Sequence, residues 1–156
     1  MGATFSMTET GGGSRRKAHI YGWEIMSGQN RDTMNTEKAQ TANPQTYRDK
    51  IESLVLWLED KKAQDIVALD VTAVNSLTEA VLIVSANTVR HAQSLADGLI
   101  SHFQDKGYEY LGMEGYQVGS WILIDGNDVI IHIFQQEARS FYHLESLWTE
   151  APRLHG

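Results

Sequence analysis

Three aspartates have the type and placement that paired carboxylates need for chemistry. Asp125 and Asp128 flank Gly126-Asn127, and Asp70 sits near the end of the apolar run Ile66–Val71. Carboxylates so close together could hold a divalent cation or move a proton. Aspartate is also a favoured turn residue, through local hydrogen bonds to its own backbone. Asp125-Gly126-Asn127-Asp128 reads first as a hairpin turn. Gly and Asn tolerate the positive φ that such a turn demands.

The other candidates are thinner. Thr88, Arg90 and His91 open a helix whose N-terminus could attract an anion. Ser85-Ala86-Asn87-Thr88 before it lacks the glycines of a phosphate cradle. His132 lies inside Ile130-Ile131-His132-Ile133-Phe134 with no second ligand at metal-binding spacing, and reads as a structural histidine. His143-Leu144-Glu145 does not match His-Glu-x-x-His, and neither a P-loop nor a Gly-x-Ser-x-Gly elbow is present. With no cysteine in the chain, thiolate metal sites and disulfides are excluded.

Trp121 carries a different signal. It opens Trp121-Ile122-Leu123-Ile124-Asp125, where alternation places Trp121 and Leu123 on one face and Ile122 and Ile124 on the other. If helices cover only one face, large apolar groups remain on the second, as at a partner site. Plain core packing of an aromatic is the competing reading.

The elements that must position these residues begin at Thr46. Thr46-Tyr47-Arg48-Asp49 has capping-box spacing, and Tyr47, Ile51, Leu54, Val55 and Leu58 then repeat at helical intervals. Trp57 falls off that face. Ile66–Val71 reads as a strand, and Glu79–Ser85 as a central strand covered on both faces. A second helix runs from about Thr88 to Gly107, burying Ala92, Leu95, Ala96, Leu99 and Phe103. Tyr108–Tyr116, Trp121–Asp125 and Val129–Phe134 read as strands. A third helix spans about Ala138–Trp148, with Phe141, Leu144 and Leu147 or Trp148 inward. The order αββαβββα predicts a single α/β sandwich domain on a mixed five-stranded sheet over residues 46–150, with 151–156 a tail.

Residues 1–45 differ in kind. They contain Gly11-Gly12-Gly13-Ser14 and one short apolar patch, Ile20–Met26, too interrupted to form a core. The segment reads as a disordered leader or a mis-called start, with Met34 the alternative beginning. Ser14-Arg15-Arg16-Lys17 is not followed by the apolar stretch of a secretory signal. No run approaches the roughly 18 apolar residues of a membrane span.

Charge narrows the function. The whole chain carries −7, but residues 46–156 hold eight Lys/Arg against sixteen Asp/Glu, a net of −8. So acidic a domain is poorly suited to a phosphate backbone; no direct sequence-specific nucleic-acid binding is expected, and a direct RNA binder is the disfavoured alternative. It is suited to a basic protein, although a negative surface also serves solubility alone.

Taken together, these blocks resemble the Iojap-like family, the bacterial ribosomal silencing factors (RsfS). The resemblance rests on Gln64–Val71, on Leu82-Ile83-Val84-Ser85 leading to Arg90-His91 and Ala96-Asp97, and on Glu114-Gly115. It continues through Trp121–Asp125, Asp128–Phe134, Ala138-Arg139, Phe141-Tyr142 and Leu144-Glu145-x-Leu147-Trp148, covering roughly residues 48–148. Glu79, Ser85-Ala86-Asn87-Thr88 and Gly126-Asn127 depart from the family's usual residues.

The resemblance implies a nucleotidyltransferase-like fold without its active site. Those enzymes hold metal with a Gly-Ser turn and an Asp-x-Asp strand, whereas Asp70 is a single acid in Leu69-Asp70-Val71. It further implies a cytoplasmic translational repressor with no catalytic residues, cofactor or metal. Such a protein docks on ribosomal protein L-fourteen of the large subunit and blocks joining of the small subunit, mainly when nutrients are scarce. The implied partner-binding residues are Trp121 and Ile122, with Glu114, Asp125 and Asp128 as charged rim. Homodimers occur in the family and would compete for that sheet. A nucleotidyltransferase-like enzyme, its metal held by Asp70, Asp125 and Asp128, is the alternative.

Overall fold

The computed structural model describes residues 44–156. The reading of residues 1–45 lies outside them except at its last two positions.

The first helix, α1 (Pro44–Asp60), starts two residues before the expected cap, so Thr46 lies within its first turn. Proline suits a first helical position, because the amide it lacks would have no helical partner. Tyr47, Ile51, Leu54, Val55 and Leu58 form its buried stripe, as their spacing predicts. Lys62 ends the turn with a φ of 68°, and the Ala63 amide donates back to the Leu58 carbonyl at 3.0 Å. Strands β1 (Gln64–Asp70) and β2 (Ala80–Ala86) follow, antiparallel, with β2 buried throughout.

The second helix, α2 (Val89–Lys106), has both ends where the sequence places them. The Thr88 side chain accepts from the His91 amide at 3.0 Å. Gly107 takes a φ of 72°, and the Tyr108 amide reaches the Phe103 carbonyl at 2.8 Å, closing the helix C-terminus. Trp57 of α1 lies against Gly98 of α2, where an added Cβ would sit 2.5 Å from the indole, so glycine permits this close approach.

Three strands come next: β3 (Gly112–Glu114), β4 (Trp121–Asp125) and β5 (Val129–Gln135). The third is shorter than the expected Tyr108–Tyr116, because Gly115 leaves the strand with a φ of 84°. The β4–β5 hairpin forms at Asp125–Asp128, with Asn127 at φ 74° and its amide donating to Asp125 Oδ1 at 3.0 Å.

The expected third helix is broken. Helix α3 (Gln136–Tyr142) stops at His143, whose φ of 47° turns the chain into a 3-10 helix, Leu144–Trp148. The turn buries Leu144 but leaves Phe141 and Leu147 outward, 76% and 49% exposed. The inward placement expected of Phe141 is thereby corrected, and of Leu147 and Trp148 it is Trp148 that packs inward.

The sheet has six strands rather than five, in the order β3-β4-β5-β2-β1-β6. The addition is β6 (Arg153–His155), in the segment read as a tail; it pairs antiparallel with β1. Among the described strands, β2 and β5 are the only neighbours that pair in parallel. Helices α1 and α2 cover one face, over Ile66, Ala68, Leu82, Val84, Ile122, Ile124, Ile131 and Ile133. On the other, Leu144, Ala138 and Trp148 pack over Leu69, Val71, Val81, Ile83 and Phe134. The molecule is thus a mixed α/β sandwich.

Candidate functional site

Alternation along β4 decides the fate of its side chains. Ile122 points at α1 and α2 and is 0% exposed, so it belongs to the core and offers nothing to a partner. Asp125 is equally inaccessible and accepts the turn amide of Asn127. Both were expected at a docking surface, and burial removes them from it.

Trp121 is half-buried on the other face. Its ring stacks on Phe134 at 4.9 Å between centroids and meets Tyr142 at 4.7 Å. Phe141 stands edge-on to Tyr142 at 5.0 Å and projects outward. The exposed apolar surface is therefore built by the end of α3 and the 3-10 helix against Trp121, not by β4 alone. Adjacent aromatics at Phe141-Tyr142 carry the signal in the sequence: neighbours on a helix point about 100° apart, so with Tyr142 against Trp121 its neighbour Phe141 projects outward.

Beneath Trp121 lies His132, 4% exposed. Burial pushes its imidazole down to about 3, so the ring is neutral at neutral pH. Its Nδ1 accepts the Trp121 indole N–H at 3.0 Å, which places the imidazole proton on Nε2.

Asp128 is committed to Lys50. The buried ammonium donates to Asp128 Oδ1 at 2.6 Å and to the Gly126 carbonyl at 3.0 Å. It also lies over the Phe103 and Tyr108 rings at 4.9 and 5.0 Å. Lys50 thus fixes the hairpin turn from inside. Glu114 is half-buried on β3; burial, and then the Glu114 charge, raises the Tyr110 hydroxyl above its usual range.

Asp70 faces α1 instead. It accepts from the Tyr47 hydroxyl at 2.7 Å, from Arg48 at 2.8 Å, and from the Thr72 amide and hydroxyl at 3.0 and 2.6 Å. Burial alone would raise its pKa, but these donors and the Arg48 charge hold it below the ordinary carboxylate value. Asp70 and Asp125 point to opposite faces of the sheet, so the three aspartates do not assemble into one site. Among the described residues, no group of three or more His, Asp or Glu is placed to hold a metal. No helix among them is long and apolar enough to cross a membrane.

A sequence model of the family described as "Ribosomal silencing factor during starvation" matches residues 44–155. The chain belongs to the ribosomal silencing factor family. Its first residue in that match is also the first residue of α1, and its last lies in β6. Ribosomal silencing factor RsfS of Halalkalibacterium halodurans is 37% identical over 95 residues, spanning 61% of this chain and 81% of that protein. The Haemophilus influenzae RsfS is 37% identical over 98 residues, 63% of this chain and 96% of that one. A mouse protein named "Mitochondrial assembly of ribosomal large subunit protein 1" is 29% identical over 102 residues, 64% of this chain and 45% of its own length. A crystal structure from Bacillus halodurans superposes with a TM-score of 0.61 at 32% identity, covering 69% of this chain and 98% of that one. A Chromobacterium violaceum structure gives 0.57 at 27% identity, covering 79% and 87%.

Proposed function

We propose that this chain is a translational repressor without catalytic activity that docks on ribosomal protein L-fourteen of the large subunit. Occupying that protein at the subunit interface, it blocks joining of the small subunit, chiefly when nutrients are limiting, and acts in the cytoplasm. Membership of the ribosomal silencing factor family supports the ribosome as the site of action.

The observation that carries the docking reading is the cluster of Trp121, Tyr142 and Phe141. Rigid aromatics that are partly packed within their own domain lose little conformational freedom on binding, and such residues dominate interface energetics. The net −8 of residues 46–156 supports a basic protein partner and raises the rate of encounter with it. A second copy of the chain seated on the same aromatics would compete with docking.

The reading is tested by titrating the full chain with purified L-fourteen. Saturable one-to-one binding that weakens on Trp121→Ala supports it. No binding at micromolar concentrations contradicts it.

A further inference from the structure

The exposed aromatics sit on a short segment that must be held at a fixed angle to Trp121. Seven residues of α3 and a broken junction at His143 do not supply that rigidity alone. Isolated helices of that length are unstable in water. Beside the apolar packing of Ala138, Leu144 and Trp148, polar side chains tie the segment to the sheet. Arg139, 12% exposed at its side chain, donates through Nη1 to the Asp65 carbonyl at 2.6 Å and to Ser85 Oγ at 2.9 Å. Its Nε and Nη2 both reach Glu145 Oε2, at 2.8 and 2.7 Å.

Each contact anchors a different element. Glu145 lies on the 3-10 helix beyond the His143 turn, so the ion pair spans the break in the third helix. Ser85 lies on β2. Asp65 lies in β1 where the β1–β2 register shifts, at a φ of 48° that a non-glycine residue adopts only at a cost. The irregularity presents its carbonyl to Arg139, as bulges do when they re-aim a group. Gln136 Nε2 adds a contact from the first residue of α3 to Asp65 Oδ2 at 3.2 Å. The planar guanidinium spreads four bonds over three acceptors of Arg139 in a fixed fork, a geometry that a compact ammonium does not reproduce.

We infer that Arg139 is the positioning residue of the docking surface: it fixes α3 and the 3-10 helix against β1 and β2, and thereby aims Phe141 and Tyr142 beside Trp121. The inference rests on the aromatic docking reading above. It assigns Arg139 no contact with the partner.

The test measures binding of the full chain to purified large ribosomal subunits by quantitative cosedimentation, well below the melting temperature, with far-UV circular dichroism as the check on folding. Arg139→Gln and Glu145→Gln should each fold and lose at least about tenfold in affinity, with Phe141→Ala as reference. Because Arg139 acts through the aromatics, Arg139→Gln added to Phe141→Ala should cost little more than Phe141→Ala alone. Fully additive losses would mean direct partner contact and would overturn the inference. So would parental affinity in a folded Arg139→Gln variant while Phe141→Ala binds weakly. Loss of cooperative melting in both Gln variants would also overturn it, since Arg139 would then hold the fold rather than aim a surface. Parental affinity in Phe141→Ala is a separate result, and it would remove the docking reading itself.

Discussion

The indole N–H of Trp121 donates to Nδ1 of His132, diagonally across the β4–β5 ladder, at 3.0 Å. The bond exists only while that nitrogen carries no proton. It therefore ties the aromatic surface to the protonation state of a buried base.

Acid should loosen this region first. His132 is lowered from 6.5 to about 3 in the folded chain, so below pH 6.5 the unfolded state binds a proton that the folded state refuses. Its contribution is fully present above pH 6.5 and is lost as pH falls toward 3, at about 1.4 kcal/mol per pH unit. His102, lowered by burial and then by the Lys106 charge, adds in the same direction. Urea unfolding between pH 7.5 and 5 should show the loss, and His132→Phe should reduce the slope. An unchanged slope in that variant would contradict the assignment.

Trp121 and Ile122 should separate cleanly although adjacent. Ile122→Ala opens a cavity in a fully buried core and should cost about 2–5 kcal/mol of stability. Trp121→Ala and Phe141→Ala should leave a folded domain that binds L-fourteen at least about thirtyfold more weakly, the equivalent of about 2 kcal/mol. Melting curves beside binding titrations check both. Normal binding by a folded Trp121→Ala variant would refute the surface.

Asp128→Asn should act on stability rather than on docking rate. Removing this carboxylate leaves the buried Lys50 ammonium without its ion-pair partner, at a cost of about 1–3 kcal/mol. Lys50→Met combined with Asp128→Asn should recover part of that loss, because no buried charge is then stranded. Thermal melts of the single and double variants measure it; a double variant less stable than Asp128→Asn alone contradicts the account.

What the sequence discloses here is mostly local. The Thr88 and Gly107 caps, the Asn127 turn and the alternation that separates Ile122 from Trp121 all follow from nearest neighbours and strand or helix period. What it hides depends on distant partners. Lys50 meets Asp128 across 78 positions, and Arg139 meets Asp65 across 74. The His143 turn puts a non-glycine residue at positive φ within a pattern that reads as continuous helix. Strand β6 is three residues long and has no periodicity to detect; pairing with β1 makes it a strand. The family blocks point to a surface around Trp121, but which side chains are exposed there follows from where α3 ends.

The central claim is that the chain occupies the large subunit and keeps the small one away. The most direct measurement mixes purified large and small subunits with increasing full-length protein and resolves them on a sucrose gradient. The protein should sediment with the large subunit only, and joined ribosomes should fall as it saturates, an effect Trp121→Ala weakens. Undiminished joining at saturating protein, or sedimentation with neither subunit, would contradict the claim.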